Sequence, residues 1–570
     1  MNRKQRRAAQ SNLQDAARRQ RQAVAREPEN AQAHNELACM LLQQGKPDQA
    51  AAHFERALTL MPELFEQYPA LVATLINVNP AARAGLARAA NAAQGGLSPN
   101  EILDPSELAT LSRDPLLRCM LECAPVRDLN LERYLASVRR SLAGLLAGLT
   151  SHPLAPASGG GKGVEALPDV RENDALLALC CALARQCFIN EYVFAATAEE
   201  IERAAALRDK VADALEVGRP APLQVAILAT YFPLSDLAGA ERLLGGTWPA
   251  CLQAVLTQQL LEPREEKEDR DKIPRLTKIE DRVSRLVGQQ YEENPYPRWV
   301  VIPSNRGPTS VEQYLRAQFS AASFASAAPE RQTDILIAGC GTGQQSIMTA
   351  RRFAAANVLA VDLSRNSLCY ARRMSRLLDV HNIQYAQADV LELASIGRPF
   401  DMIEASGVLH HLADPTEGWR VLASLLRPGG FMHVGLYSKA ARREIEAARA
   451  YVAERGFGTS AQDIRRCRQE ILSTPMKSVA QFADFFTVSE CRDLLFHVQE
   501  HTLSIPQIGS FLREHNFTFI GFELPPQTAA GYRYRFPEDR SMTNLNSWNV
   551  FEAENPRTFA GMYQFWIQKN

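Results

Sequence analysis

Residues 335–346 read ILIAGCGTGQQS. An apolar run of strand character ends on Gly339, and Gly341 and Gly343 follow at alternate positions. Glycines there let the backbone turn tightly and come within contact distance of a ligand. Downstream the chain alternates. NVLAVDLS (357–364), IQYAQAD (383–389), PFDMIEASGVL (399–409) and FMHVGLYS (431–438) read as strands. GQQSIMTARRFAAA, NSLCYARRMSRLLDVH and PTEGWRVLASLLR, between them, read as helices. This rhythm predicts an α/β unit, a parallel sheet with helices on both faces and right-handed crossovers.

In such a sheet, ligands sit beyond the carboxyl ends of the strands. The second strand ends on Asp362, placed to accept two ribose hydroxyl hydrogen bonds. A dinucleotide loop needs GxGxxG, because a helix N-terminus must meet a pyrophosphate. Here the third glycine of that pattern falls on Ser346. A further acid, Asp389, ends the third strand, where it can accept from an adenine amino group. Adenosine without pyrophosphate points to S-adenosylmethionine.

With these residues in place, 331–436 resemble a class I S-adenosylmethionine-dependent methyltransferase. GCGTG is similar to that family's first motif, VDLS to the acidic motif, and QADV to the adenine-contacting motif. FDMIEASGVLHHLADP resembles its fourth-strand motif and LRPGG the turn into the fifth strand. The resemblance implies that Gly339, Cys340, Gly341 and Gly343 line the methionine and ribose. It implies that Asp362 holds the ribose beside Leu363, that Asp389 and Val390 frame the adenine, and that Ser406 and Gly407 lie under the sulfonium. It also implies a Rossmann-like seven-stranded sheet closed by a hairpin, for which FTFIGFEL (517–524) and GMYQFWIQK (561–569) are the candidates. The methyltransferase domain would then run over 331–570, with insertions at about 440–515 and 525–560 above the acceptor site. One departure stands out. The commonest version of the loop has an acid where this chain has Ile337, and there it orders the loop and the methionine end. Asp334 lies on the opposite strand face. Another group, from NPYPRW or Gln344, is therefore expected to cover the methionine amine.

QQYEENPYPRWV (289–300) resembles an element of bacterial proteins that join tetratricopeptide repeats to such a methyltransferase. Its two prolines stiffen an extended segment. Tyr291, Tyr296, Arg298 and Trp299 either fold over the cofactor as a lid, where aromatic faces suit a sulfonium, or pack as a rigid connector.

Further upstream, residues 31–64 read as a tetratricopeptide repeat. Leu37, Leu41, Gly45, Ala50, Phe54, Ala57 and Pro62 stand where two antiparallel helices need them. Residues 1–30 read as a basic tail and partial repeat, with eight Lys/Arg and one Asp between Met1 and Arg26. Beyond Pro62 the pattern fades: Ala84 is in register, Arg88 and Asn91 are not. Residues 65–262 read as all-helical, interrupted by a flexible surface loop at 152–169 whose GGGKG lacks phosphate-loop spacing. The mixed-charge run EPREEKEDRDKIPR (262–275) reads as a boundary, so 263–330 becomes a charged linker and the lid or connector.

At net charge −1 over 570 residues, nothing global argues for nucleic acid. No run approaches the roughly 18 apolar residues of a membrane span. The eleven cysteines form no CxxC pair and read as buried free thiols in a reducing cytoplasm. No metal is expected: His497-x-x-Glu500-His501 matches a zinc signature, but only 69 residues follow it, two sheet strands among them.

Methyl transfer needs positioning and desolvation, and a base only if the nucleophile arrives protonated. Candidate catalytic groups are His410, His411 and Tyr437, near the ends of the fourth and fifth strands. His433, inside the fifth strand, reads as a core residue. Tyr532, Arg533 and Arg535 offer a hold for an anionic acceptor. The expected function is methyl transfer from S-adenosylmethionine to a protein, peptide or carrier-bound acceptor, with the repeat holding a protein or peptide partner. The alternatives are a small-molecule methyltransferase and a non-catalytic scaffold that senses the cofactor.

Overall fold

The computed structural model describes residues 3–61, 80–93, 102–103, 107–150, 170–302, 307–325 and 332–570. The GGGKG loop and Pro62 lie outside these. The chain divides into two compact units. One comprises Met1–Pro263 with Trp299–Ser304, the other Arg264–Arg298 with Asn305–Asn570.

In the first unit, helices Ala31–Gln43 and Pro47–Leu60 pack as an antiparallel pair. Leu37, Leu41, Ala50, Phe54 and Ala57 are buried between them, and Gly45 makes the turn at φ +72°. Asn30 caps the first helix through Ala33 N–H, supplying an acceptor to one of its free donors. Helix Arg3–Arg26 packs against the first of these two helices. Ala84 is exposed on helix Pro80–Ala93, which instead lays Gly85 against Tyr134 of helix Leu129–Thr150. The largely buried helix Val170–Ile189 packs against several neighbours through Cys180, Cys181 and Leu183. All eleven cysteines are free; eight are buried as expected, whereas Cys39, Cys119 and Cys251 are only half-buried.

The second unit holds a seven-stranded sheet: β1 (Thr333–Ala338), β2 (Ala356–Asp362), β3 (Ile383–Gln387), β4 (Phe400–Ser406), β5 (Leu426–Leu436), β6 (Phe517–Phe522) and β7 (Tyr563–Lys569). Their order is β3-β2-β1-β4-β5-β7-β6. The first five are parallel, and β7 enters antiparallel between β5 and β6. Strand order reverses between β1 and β4, which opens a crevice at their carboxyl ends. The 440–515 insertion is largely helical, as read. The 525–560 insertion carries helices Pro526–Arg535 and Leu545–Glu554.

The mixed-charge run is not a free linker. Glu266 pairs with Arg373 at 2.8 Å, and Asp269 pairs with Arg376. Both arginines sit on helix Arg365–Leu377, whose ARRMSR face is complementary to the run. The chain then adds a rung beside β3: Gln387 N–H donates to Pro274 O at 2.8 Å, and Leu276 N–H to Gln387 O at 2.9 Å. This rung brings the Thr277 hydroxyl to the Asp389 amide at 2.8 Å. The connector thereby helps to build the site.

Candidate active site

The turn after β1 is held open by its glycines. Gly339, Gly341 and Gly343 take φ of +68°, +51° and +84°. A Cβ on Gly339 would stand 2.6 Å from the Val408 side chain, and one on Gly341 2.4 Å from the Tyr296 carbonyl oxygen. Gly343 caps helix Gln344–Arg352 and faces Ala371, so it shapes the loop without lining the cavity. Asp362 closes the turn from β2, accepting from Gly341 N–H and Ser364 N–H, each at 2.8 Å. Burial pushes its carboxyl up to about 6 against the pull of those two bonds.

A single cavity runs from this loop along the carboxyl ends of the strands. On one side it is lined by Asp362, Leu363, Ala388, Asp389 and Val390, with Cys340 beneath. Helix Arg282–Glu293 crosses it, presenting Ser284, Val287 and Tyr291 at i, i+3 and i+7. Asp389 accepts from Leu391 N–H through Oδ1 at 3.1 Å. Its Oδ2 is buried without a hydrogen bond, beside the Ser284 hydroxyl, and burial raises its pKa.

The other side is lined by Ser406, Gly407, Val408, His411, Leu412, Tyr437, Asp493 and Met562. Tyr291, Tyr296 and Pro297 cover it. The Tyr291 hydroxyl donates to Asp493 Oδ1 at 2.6 Å, and that of Tyr296 to Asp484 Oδ1 at 3.2 Å. Of the four lid candidates, these two reach the cavity. Arg298 does not line it, and Trp299 is buried and grouped with the helical unit. Tyr291 reaches the cavity from helix Arg282–Glu293 and Tyr296 from the segment that follows it.

The histidine pair divides. His410 is wholly buried, stacked on Tyr437 at 3.8 Å between centroids, and does not line the cavity. His411 does. Its Nδ1 lies 2.8 Å from Gln499 O, and a carbonyl only accepts, so Nδ1 carries the proton and Nε2 keeps its lone pair. Burial lowers its pKa to about 4. His497 stacks on it at 3.6 Å, in a segment past the end of helix Val488–Phe496 and not on it. His411, Asp493 and His497 form a metal-capable triad by distance. However, His497 Nδ1 accepts from Gln499 N–H at 3.1 Å, which leaves the proton on Nε2, 3.1 Å from the Tyr291 oxygen. Tyr291 in turn donates to Asp493. A proton-ordered chain uses the nitrogen lone pair that a metal would need. Glu500, the acid of the zinc-like pattern, is held by Arg442 at 3.0 and 2.6 Å.

Tyr532, Arg533 and Arg535 stand outside the cavity: Tyr532 donates to Asp539, Arg535 pairs with Glu554, and Arg533 is exposed. Their sequence distance from the strands concealed this.

Glu404 was not among the expected residues. It lies in register with Ile337 on one side and His433 on the other, and it lines the cavity. Its carboxylate takes Gln345, Thr349 (3.0 Å) and His433 Nδ1 (3.0 Å). An acid inside an apolar strand, MIEAS, was the available signal. His433 is buried as read, but it is this acid's partner.

Comparisons with known proteins agree with this architecture. A methyltransferase domain model matches residues 336–432, and a tetratricopeptide repeat model matches 31–64. An uncharacterized protein of Synechococcus sp. is 34% identical over 176 residues, 30% of this chain and 42% of its own length. Trans-aconitate 2-methyltransferase of Deinococcus radiodurans is 36% identical over 110 residues, covering 19% and 39%. Ubiquinone biosynthesis O-methyltransferase of Acinetobacter baumannii is 32% identical over 97 residues, covering 17% and 40%. The chain thus spans about two fifths of the length of the curated relatives it matches. Among solved structures, PKMT2 from Rickettsia typhi in complex with AdoHcy aligns at TM-score 0.37 and 15% identity, over 47% of this chain and 55% of that one. The two domain models therefore assign residues 31–64 to a tetratricopeptide repeat and residues 336–432 to a methyltransferase domain.

Proposed function

We propose that the protein transfers a methyl group from S-adenosylmethionine to a protein, peptide or carrier-bound acceptor that the tetratricopeptide repeat helps to recruit. The observation that carries this is the continuous cavity in which glycine cradle, Asp362 and Asp389 line one half and a polar, aromatic chamber the other. The residues fit the cofactor. Asp389 Oδ2 is a buried acceptor that makes no hydrogen bond, suited to an adenine amino group. Asp362 would hold the ribose, with Leu363 and Val390 against the adenosine and Cys340 and the glycines along the methionine. Ser406 and Gly407, which line the cavity, would lie under the sulfonium. When bound, the cofactor supplies a methyl group on sulfur, already a good leaving group. The chain's own work is to orient the acceptor and exclude water. His411, neutral with a bare Nε2, is the candidate base at the mouth of that chamber.

Asp362→Ala is expected to weaken S-adenosylmethionine binding by about 1–3 kcal/mol, read by calorimetry, because ribose hydroxyls lose a charged acceptor. Unchanged affinity would exclude this site. A pH dependence accompanies it. Asp362 is charged only above about 6. Wild-type affinity should therefore rise as pH increases through 6 and fall below it by up to about tenfold per unit. The Ala variant should lose that component. For the unliganded fold the sign is opposite. A carboxyl raised above its ordinary value contributes stability at low pH and loses it as pH climbs from about 4 through 6.

One observation favours a second reading, a small-molecule acceptor: Tyr291, Tyr296 and Pro297 roof the chamber. Labelled S-adenosylmethionine added to lysate separates the two, by whether label enters macromolecules or the small-molecule fraction. The scaffold alternative loses its motive, since Glu404 supplies an acid beside Ile337. Eleven free thiols suit a cytoplasmic setting, and no described helix is long and apolar enough to cross a membrane.

A further inference from the structure

The charge of the cavity identifies the chemistry of the acceptor. Among the described residues, four carboxylates line it, Asp362, Asp389, Glu404 and Asp493, and no lysine or arginine does. Asp362 and Asp389 belong to the adenosine half, and Glu404 stands beside Ile337 at the methionine end of the cavity, held by three side chains. Asp493 is left. It is 3% exposed, and Tyr291 satisfies its Oδ1. Among the described residues no donor lies within hydrogen-bonding distance of its Oδ2. The rings of Tyr291, Tyr296 and Tyr437 stand round the same chamber. Arg442 lies over the Tyr437 ring at 3.6 Å and shares Glu500 with Arg449, so two guanidinium groups stand behind the wall against one acid, and Asp493 is the carboxylate that lines the chamber itself.

Resting on the methyl-transfer reading, we infer that the acceptor is an alkyl primary amine, which enters as an ammonium, binds Asp493 against the tyrosine faces and is methylated on nitrogen. A carboxylate or phosphate acceptor would enter a low-dielectric chamber already lined by negative charge. An alkyl hydroxyl would need a far stronger base than neutral His411 or Asp493. An ammonium is attracted by both the acid and the aromatic faces. The step balances. Asp493 takes one proton from the nitrogen. The freed lone pair forms the N–CH3 bond as the C–S bond breaks onto sulfur. The product is a secondary ammonium, and Asp493 returns its proton to solvent. Burial pushes the Asp493 carboxyl up to about 6, which makes it a better proton acceptor than a surface acid.

The test uses the full chain saturated with S-adenosylhomocysteine and three probes of one length, n-butylamine, n-butanol and n-butyrate, titrated by calorimetry. The amine should bind at least about tenfold more tightly than the other two. Equal binding of the three, or tightest binding of butyrate, overturns the inference. Asp493→Asn should erase the preference for amine while changing S-adenosylhomocysteine affinity less than twofold, and an undiminished preference overturns it as well. Failure of S-adenosylhomocysteine itself to bind would instead sink the methyl-transfer reading, so the two failures are distinct. The amine can come from a lysine side chain or a free alkylamine. Labelled S-adenosylmethionine with a lysine peptide and with n-butylamine separates these sources, and label in neither at saturation overturns the inference.

Discussion

Gly341→Ala should open the cofactor cradle, lowering thermal stability and raising the Kd for S-adenosylmethionine by about 100-fold, equivalent to about 3 kcal/mol. Two costs add. At φ +51° a side chain meets left-handed backbone strain of about 1–2 kcal/mol. The new Cβ would also lie 2.4 Å from the Tyr296 carbonyl oxygen, a backbone atom that no rotamer change can move away. The connector is stitched down at that point, with Thr342 N–H donating to Tyr296 O at 3.1 Å and the Thr342 hydroxyl to Pro297 O at 2.7 Å. Relief of the collision requires lifting Tyr296 and Pro297, which roof the cavity, at a further cost of about 1–3 kcal/mol. Gly397→Ala is the control. Its φ is +61° with nothing within 4 Å of the new Cβ, so only the strain remains and affinity should be unaffected. Equal effects of the two substitutions on Kd would show that the roof does not press on the loop.

How much of this was written in the sequence depends on distance along the chain. The glycine loop, Asp362 and Asp389 follow local rules, strand then turn then acid, and they emerge at one edge of the sheet. The repeat helices were equally legible, because Leu37, Leu41, Phe54 and Ala57 keep helical spacing. Asp493 was not. It reaches the cavity from an inserted helix more than a hundred residues beyond β3, and no local pattern marks an acid that will be buried. NPYPRW signalled a contact with the site but not which side chains would make it, since that depends on the path of an extended segment. The boundary read at 262–275 falls where the two units divide, at Pro263. The run did not reveal its ion pairs, because the basic face of helix Arg365–Leu377 that meets it lies about a hundred residues on.

The missing acid at Ile337 shows what register adds. Parallel pairing of β1 with β4 sets Ile337 beside Glu404, and pairing of β4 with β5 sets Glu404 beside His433. Partners in parallel register share a face of the sheet, so the carboxylate stands one strand over from its usual position, still facing Gln345 at the start of the loop helix. Glu404 is 2% exposed and His433 5%. Despite desolvation, their mutual attraction and the Thr349 and Gln345 bonds lower the acid's pKa, and the acid raises that of His433. Glu404→Ala should therefore destabilise the methyltransferase unit by about 3–5 kcal/mol in denaturant titration, because a buried charge loses its partner. The sign with pH is fixed at both ends. The His433 share is full below 6.5 and is lost as pH rises through its raised value; the Glu404 share is full above 4.5 and is lost as pH falls through its lowered one. The gap between wild type and variant should be widest between about 4.5 and 6.5 and should narrow on either side. Glu404→Gln keeps the shape and removes the charge. It should weaken S-adenosylmethionine, which carries an ammonium at its methionine end, about tenfold more than 5′-methylthioadenosine, which has none. Equal losses for both ligands would mean that Glu404 serves only to hold His433 and the loop, and that the methionine amine is met by another group.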